Sequence, residues 1–509
     1  MSRRSLSYAA PFALILSSSL AQAQTQAPAG AAAPAPAQRP VPTTLAPPPP
    51  AAGAVGPDAP VSKVTTSLEA KLASMQSGNG LTADEAAKRA LVNNVDVTSK
   101  QKSLDAADAQ RDETKSRFYP KLDLMARYTR ISDIKTIAIP GFSNPATGQT
   151  FTNKDLSPVI FNNYTLQATL TIPLSDYVLR LSSSMAESNH NKSSAKFDEI
   201  ATRLSVARDA RVYYYQWIRA QGASYVAQQA LEAARGHAQD AKNAFDAGLV
   251  SRADVLRTVS QEKSAELTVA HWANQVSIAT EQLRVIMNEP SQNNYEIGEN
   301  ILTALPPYSV PITPDSGYAE ALEHRVEMKQ LGESEAALRE QAATARAGNY
   351  PRLDAQGNAL YANPNPRYFP PAKEWNPSWD ASLILSWTPT AIFGATAQAK
   401  TAEAHADEVV ARKGALKNGL RLEVNQAMNA LAEANFGIEV SREGLVAAEE
   451  NYRVRRELYR AGKATIVEVT DSETELTRAR LDVVNANVDL RIARVALTHA
   501  LGRDVAAQP

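Results

Sequence analysis

The words FYPKLD (Phe118 to Asp123) and NYPRLD (Asn349 to Asp354) stand 231 positions apart in a chain of 509 residues. Self-similarity at a long period restricts a chain to folds made of two like units, so it limits the architecture more than composition does. Leu91, Val95 and Asp96 meet Leu322, Val326 and Glu327 at the same offset. Farther on, Pro173 of LTIPLSD meets Pro389 of LSWTPTA at 216, and Gly248 of AGLVSRADV meets Gly462 of AGKATIVEV at 214. The offset shrinks once, between the tags and the later prolines, which a longer first loop explains.

Each copy reads as helix, alternating segment, loop, alternating segment, helix, turn, helix. No proline interrupts residues 174–289 or 390–508, and Gly248 and Gly462 divide each stretch into two helices. From Ser175 to Asp246 one helix would reach on the order of 100 Å. Val206, Ala210, Tyr213, Trp217, Ala220, Ser224, Ala227, Leu231, Ala234, Ala238, Ala241 and Phe245 alternate steps of four and three, the seam of a coiled coil. Ala427, Leu431, Ala434, Ile438, Ser441, Leu445, Ala448 and Tyr452 repeat the pattern. Upstream, Pro120 and Pro351 cannot continue a helix and disfavour the α region one residue earlier, so the preceding helices are expected to stop at Tyr119 and Tyr350.

Between the helices lie four alternating segments, at about 121–130, 163–173, 352–361 and 378–388. Leu122, Leu124, Ala126 and Tyr128 face one way in the first, and Lys121, Asp123, Arg127 and Thr129 the other. Each is about ten residues long, the span of a tilted strand through a bilayer. If they run up and down in turn, Tyr128, Tyr164, Tyr361 and Trp379 fall at one rim of the apolar face, where a membrane barrel places aromatic rings. An ordinary antiparallel sheet over a soluble core would share the alternation. Four strands cannot close a membrane barrel, and lipid does not tolerate open edges. Several chains must share one; two would supply eight strands and three would supply twelve.

The N-terminus carries Arg3 and Arg4, an apolar run from Tyr8 to Leu20 and Ala21-Gln22-Ala23, the three parts of a secretory signal (1–23). A Pro/Ala-rich tether with a short lead-in fills 24–80, followed by a first repeat (81–289, tip near 247–254), a linker (290–316), a second repeat (317–503, tip near 461–471) and a tail (504–509). With no cysteine there is no disulfide and no lipoprotein anchor. Net charge is −1 with no basic stripe, so nucleic acid is not an expected partner. Six histidines lie scattered with no pair at metal-ligand spacing, and no nucleophile elbow or phosphate loop occurs. No metal, cofactor or enzymatic activity is expected.

The tandem copies, the Tyr-Pro-basic-Leu tags, the prolines Pro173 and Pro389 and, above all, YRAGKATIVEVTDSETEL (Tyr459 to Leu476) resemble the TolC-like outer-membrane efflux protein family over residues 81–503. The resemblance implies a mixed α/β fold: a homotrimer with a shared twelve-stranded outer-membrane β-barrel, four strands per chain, on a long α-helical coiled-coil barrel. It also implies docking to a periplasmic adaptor (membrane fusion) protein and an inner-membrane pump of RND, ABC or MFS type. The channel would be a passive exit duct for tripartite efflux or type I secretion. By position, the inward carboxylates of the periplasmic aperture would be Asp254, Glu468 and Asp471. The adaptor would dock at Gly248, Leu249, Val250, Ser251 and Arg252 and at Gly462, Lys463, Ala464 and Thr465. Ser251 with Asp254, and Thr465 with Glu468, also have capping-box spacing, which needs no pore; Asp471 is not required by a cap. The alternative is a periplasmic coiled-coil adaptor or structural protein without a barrel.

Overall fold

The computed structural model describes residues 76–132, 142–143, 145–148, 150–151, 160–303, 305–306, 313–369 and 371–504. The secretory signal, most of the tether and lead-in, and residues 505–509 of the tail lie outside the described residues. The first copy runs from a short strand β1 (Gln76–Leu81) through α1 (Ala83–Asn93), α2 (Val95–Ser116), β2 (Lys121–Arg130) and β3 (Asn162–Ile172) to the long α3 (Leu181–Asp246) and α4 (Arg252–Met287). The second follows with α5 (Pro314–His324), α6 (Val326–Arg346), β4 (Arg352–Asn363), β5 (Asn376–Ser386), α7 (Ala391–Arg460) and α8 (Ile466–Ala500).

The helix ends differ from the expectation. α2 stops at Ser116 and α6 at Arg346, not at Tyr119 and Tyr350. The N–H groups of Arg117, Phe118 and Tyr119 each bond three residues back, and Ala347–Asn349 form one 3₁₀ turn. Because proline forces its predecessor out of the α region, the last turn tightens and satisfies carbonyls before the chain extends; Tyr350 is extended at φ −99° and ψ 151°. Nor is the first long helix continuous from Ser175: a single turn, Asp176–Leu179, precedes α3, and Arg180 between them stays in the α region with φ stretched to −118°.

α3 and α7, of 66 and 70 residues, each extend about 100 Å. The seam positions Val206, Ala210, Trp217, Ala220, Ala227, Leu231, Ala238 and Ala241 are buried, as are Ala427, Ala434 and Leu445 of α7. Small residues allow close approach. A Cβ added at Gly222 of α3 would stand 2.8 Å from Val484 Cγ1 of α8.

The main core lies midway along the helices, where α1, α3 and α4 pack with Ile301, Val326 and Val488. β1 was not foreseen. It bridges in parallel to Ile297, with Gly80 and Gly298 so close that a Cβ on either would collide with the opposing backbone. Tyr214 Oη donates to the Leu81 carbonyl at 2.6 Å, and Arg491 Nη2 donates to the carbonyls of Asn300 (2.9 Å) and Thr303 (3.1 Å). The expected linker is therefore partly core.

The four long strands form one antiparallel sheet in the order β2-β3-β4-β5. Its register pairs Leu122 with Leu170, Leu124 with Ala168, Ala126 with Leu166 and Tyr128 with Tyr164; Leu353 with Leu385 and Ala355 with Leu383 continue the apolar face on β4 and β5. On the other face Asp123 meets Thr169, Asn358 meets Asp380, and Gln167 lies between Met125 and Leu360. Leu124 (76% exposed), Leu383 (70%) and Trp379 (79%) are left bare on the apolar side. A soluble core would have covered them.

Candidate functional site

Both inter-helix tips are built alike. Gly248 (φ +74°) and Gly462 (φ +69°) adopt the left-handed conformation that glycine reaches without a Cβ penalty. Leu249 N–H then bonds the Ala244 carbonyl, and Lys463 N–H the Leu458 carbonyl, each at 2.8 Å, closing the helix in a Schellman motif. Val250 and Ala464 are half-buried, Leu249, Arg252 and Lys463 are exposed, and Ser251 and Thr465 are the N-caps of α4 and α8.

The carboxylates differ. Ser251 and Asp254 form a full capping box: Asp254 N–H donates to Ser251 Oγ at 3.3 Å, and Asp254 Oδ2 accepts from Ser251 N–H at 3.1 Å and from Oγ at 2.7 Å. Those bonds hold the Asp254 carboxyl below its ordinary range. At the second tip only half the box forms. Glu468 N–H donates to Thr465 Oγ1 at 3.4 Å, but the Glu468 carboxylate turns away from the cap and accepts from Arg455 Nη1 of α7 at 2.7 Å. The capping-box expectation is thus corrected at Glu468: a guanidinium one turn above the helix end competes better for the carboxylate than a backbone N–H does. Asp471, one turn farther along α8, is exposed and makes no hydrogen bond or ion pair among the described residues.

Tyr459, near the end of α7, is half-buried. Burial raises its phenol, and the charges of Asp240 and Asp254 from the first copy push it further up. Tyr459 stood inside the quoted motif without a role, and Arg455 gave no signal because its partner lies across the turn.

The helix-to-strand junctions repeat as well. Pro120 and Pro351 precede β2 and β4, and Pro173 follows β3. Pro389 lies in the turn before α7, where its carbonyl accepts from Ile392 N–H. Tyr177 Oη donates to the Phe118 carbonyl at 3.0 Å, and Trp387 Nε1 to the Asn349 carbonyl at 3.3 Å. Phe118 and Asn349 are equivalent positions, so one aromatic clip occurs in both copies with different rings. Ser175 ties the copies together: its N–H donates to the Leu353 carbonyl at 3.2 Å and its Oγ accepts from Leu353 N–H at 2.9 Å.

At the far end of the sheet Tyr128 packs on Tyr164, with ring centroids 5.1 Å apart. Trp375, which the alternation did not single out because it precedes β5, stacks on Tyr361 at 4.9 Å and lies 6.0 Å from Tyr164. Trp379 stands bare on the same face. No helix among the described residues is long and apolar enough to cross a membrane, and none of their acidic and histidine groups is placed to hold a metal ion.

The sequence matches the model of the outer membrane efflux protein family over residues 86–289 and 317–503. The chain belongs to that family. It is an outer-membrane efflux channel, the exit duct of a tripartite export system, and the alternative of a periplasmic coiled-coil adaptor or structural protein without a barrel is set aside. The fold is shared with solved channels. The outer-membrane channel OprN superposes with a TM-score of 0.67 at 18% identity, covering 88% of this chain and 98% of that one. CmeC of Campylobacter jejuni gives 0.69 at 15%, covering 83% and 88%. The open state of MtrE from Neisseria gonorrhoeae gives 0.65 at 17%, covering 82% and 88%. No curated protein matches the sequence.

Proposed function

We propose that three copies of this chain close one twelve-stranded barrel, β5 of each chain bonding to β2 of the next, with the long helices of each chain continuing as a periplasmic tunnel. The observation that carries this is the open sheet: its two edges, β2 and β5, have no partner strand among the described residues, and its bare face is apolar. Lipid does not accept free strand edges, so other copies must supply them.

The tunnel is a passive conduit and performs no chemistry. Residues 81–289 and 317–503 are its two repeats, and 290–316 connects them across the equatorial core. The signal is cleaved near Gln24, releasing the chain for the outer membrane. At the opposite end the tips Gly248–Arg252 and Gly462–Thr465 receive a periplasmic adaptor, which links the duct to an inner-membrane pump. Asp254, Glu468 and Asp471 of three copies line the aperture, where like charges in a confined space favour cations and repel anions. Asp471 dominates because its charge is not shared with a cap or a guanidinium. Tyr128, Tyr164, Tyr361 and Trp379, joined by Trp375, form the outer aromatic belt.

Cell fractionation tests the reading. The protein should sediment with outer membrane and run as an SDS-resistant, heat-modifiable oligomer of three chains. Recovery in the soluble periplasmic fraction without detergent would contradict it.

A further inference from the structure

The apolar face of the sheet is not uniform. Leu124, Ala168, Ala359 and Trp379 lie in one cross-strand row, and Ala126, Leu166, Tyr361 and Pro377 in the next. In the first row the small Ala168 and Ala359 of the central strands lie between Leu124 and Trp379, while Leu166 and Tyr361 stand up from the central strands in the second, which leaves a groove of about 650 Å³ lined by Leu124, Leu166, Ala168, Ala359, Tyr361 and Trp379. The Tyr361–Trp375–Tyr164 cluster stands at its outer end.

Beyond that cluster the same face carries a cation. Arg130 follows Leu122, Leu124, Ala126 and Tyr128 at alternate positions, so it shares their side of the sheet. Its Nη1 donates to Asn162 Oδ1 at 3.0 Å, and that oxygen also accepts from Tyr128 Oη at 3.1 Å. Among the described residues Arg130 has no carboxylate partner. A charge on the lipid side of a barrel is tolerated only near the headgroups, and the guanidinium fork matches a phosphate. Arg130 lies about 13 Å along the strand from Ala126, so the cation stands above the apolar groove in the order of headgroup and chain in a lipid.

We propose that each subunit binds one phosphorylated glycolipid of the outer leaflet, its phosphate on Arg130 and an acyl chain in the groove over Ala168 and Ala359. The leaflet follows from topology, since the helices leave the sheet at its other end; the inference therefore rests on the outer-membrane channel reading. The occupant is a glycolipid because the outer leaflet of a Gram-negative outer membrane is built of phosphorylated glycolipid.

The test is native mass spectrometry of the delipidated full-length oligomer incubated with bisphosphorylated lipid A, its dephosphorylated form or phosphatidylglycerol. Wild type should retain lipid A several-fold better than either competitor, up to three per trimer. Arg130→Gln should abolish that preference, and Ala359→Leu, which fills the groove, should lower retention while leaving the oligomer intact. Equal retention by wild type and Arg130→Gln would overturn the site, as would equal retention of the dephosphorylated lipid. Phosphatidylglycerol bound as well as or better than lipid A would also overturn it, by assigning the groove to phospholipid. An intact, conducting oligomer without lipid preference refutes this inference alone, whereas failure to form any oligomer refutes the channel reading beneath it.

Discussion

The two copies solve the same backbone problems with different side chains. Asn94 and Arg325 are equivalent positions, each at the break between the paired helices that open a copy. Asn94 caps α2, its Oδ1 accepting from Asp96 N–H at 2.8 Å and Val97 N–H at 3.4 Å, and its Nδ2 fastens to the Ile286 carbonyl at 3.0 Å. Arg325 makes no cap. Buried to 8% exposure, it bonds Glu327 at 2.9 Å and Glu423 of α7 at 2.8 Å. At the tips the turn is again common, but Asp254 serves its own cap while Glu468 serves Arg455. Duplication has kept the φ/ψ requirements and released the side chains, and Asp471 of the second copy is left exposed, without a hydrogen bond or ion pair among the described residues.

The largest break in this comparison is expected at the helix junctions. Arg325→Ala removes a buried cation and its charge-assisted hydrogen bonds to two part-exposed carboxylates and should cost about 2–3 kcal/mol, against about 0.5–2 kcal/mol for Asn94→Ala, as read from denaturant midpoints of helical circular dichroism in detergent. Equal losses would mean that the two junctions are held in the same way.

Acid should weaken the second junction first. Burial alone would raise the Glu327 carboxyl, but the hydrogen bond and charge of Arg325 outweigh it and hold the group below its ordinary value. A carboxyl with a lower pKa folded than unfolded stabilises the fold above the unfolded value and loses that contribution as pH falls through the folded one. The stability gap between wild type and Glu327→Gln should therefore be full at neutral pH and close below about pH 4. A gap independent of pH would remove the ion pair from the account.

The tips give smaller effects. Ser251→Ala removes a reciprocal box and should cost about 1 kcal/mol of local stability; Thr465→Ala, which loses one long hydrogen bond, should cost about 0.5 kcal/mol. Hydrogen exchange at the amides opening α4 and α8 would rank them, and the reverse order would show that the half-formed box is the stronger.

Much of this was legible in the sequence because its causes are local. Alternation over ten residues between prolines located β2 to β5 within about two residues, since a slip by one would turn every Leu to the wrong face. A glycine followed three residues later by Ser or Thr marked both tips, because the left-handed turn and the N-cap are each properties of a few adjacent residues. What stayed hidden depends on distant pairing. Arg455 meets Glu468 across the turn, Tyr177 meets Phe118 across the barrel strands, and β1 exists only because Gly80 finds Gly298. The capping box at Glu468 failed for the same reason: spacing permits it, and a side chain from another helix decides against it.

The most direct measurement is the reversal potential of single channels in a planar bilayer under a salt gradient, for wild type, Asp254→Asn, Asp471→Asn and the double variant Glu468→Gln with Asp471→Asn. If the carboxylates of the second copy set the aperture, with the unpaired Asp471 foremost, Asp471→Asn should lower the cation preference several-fold, the double variant further, and Asp254→Asn least. Selectivity unchanged in the double variant, or shifted most by Asp254→Asn, would contradict the assignment.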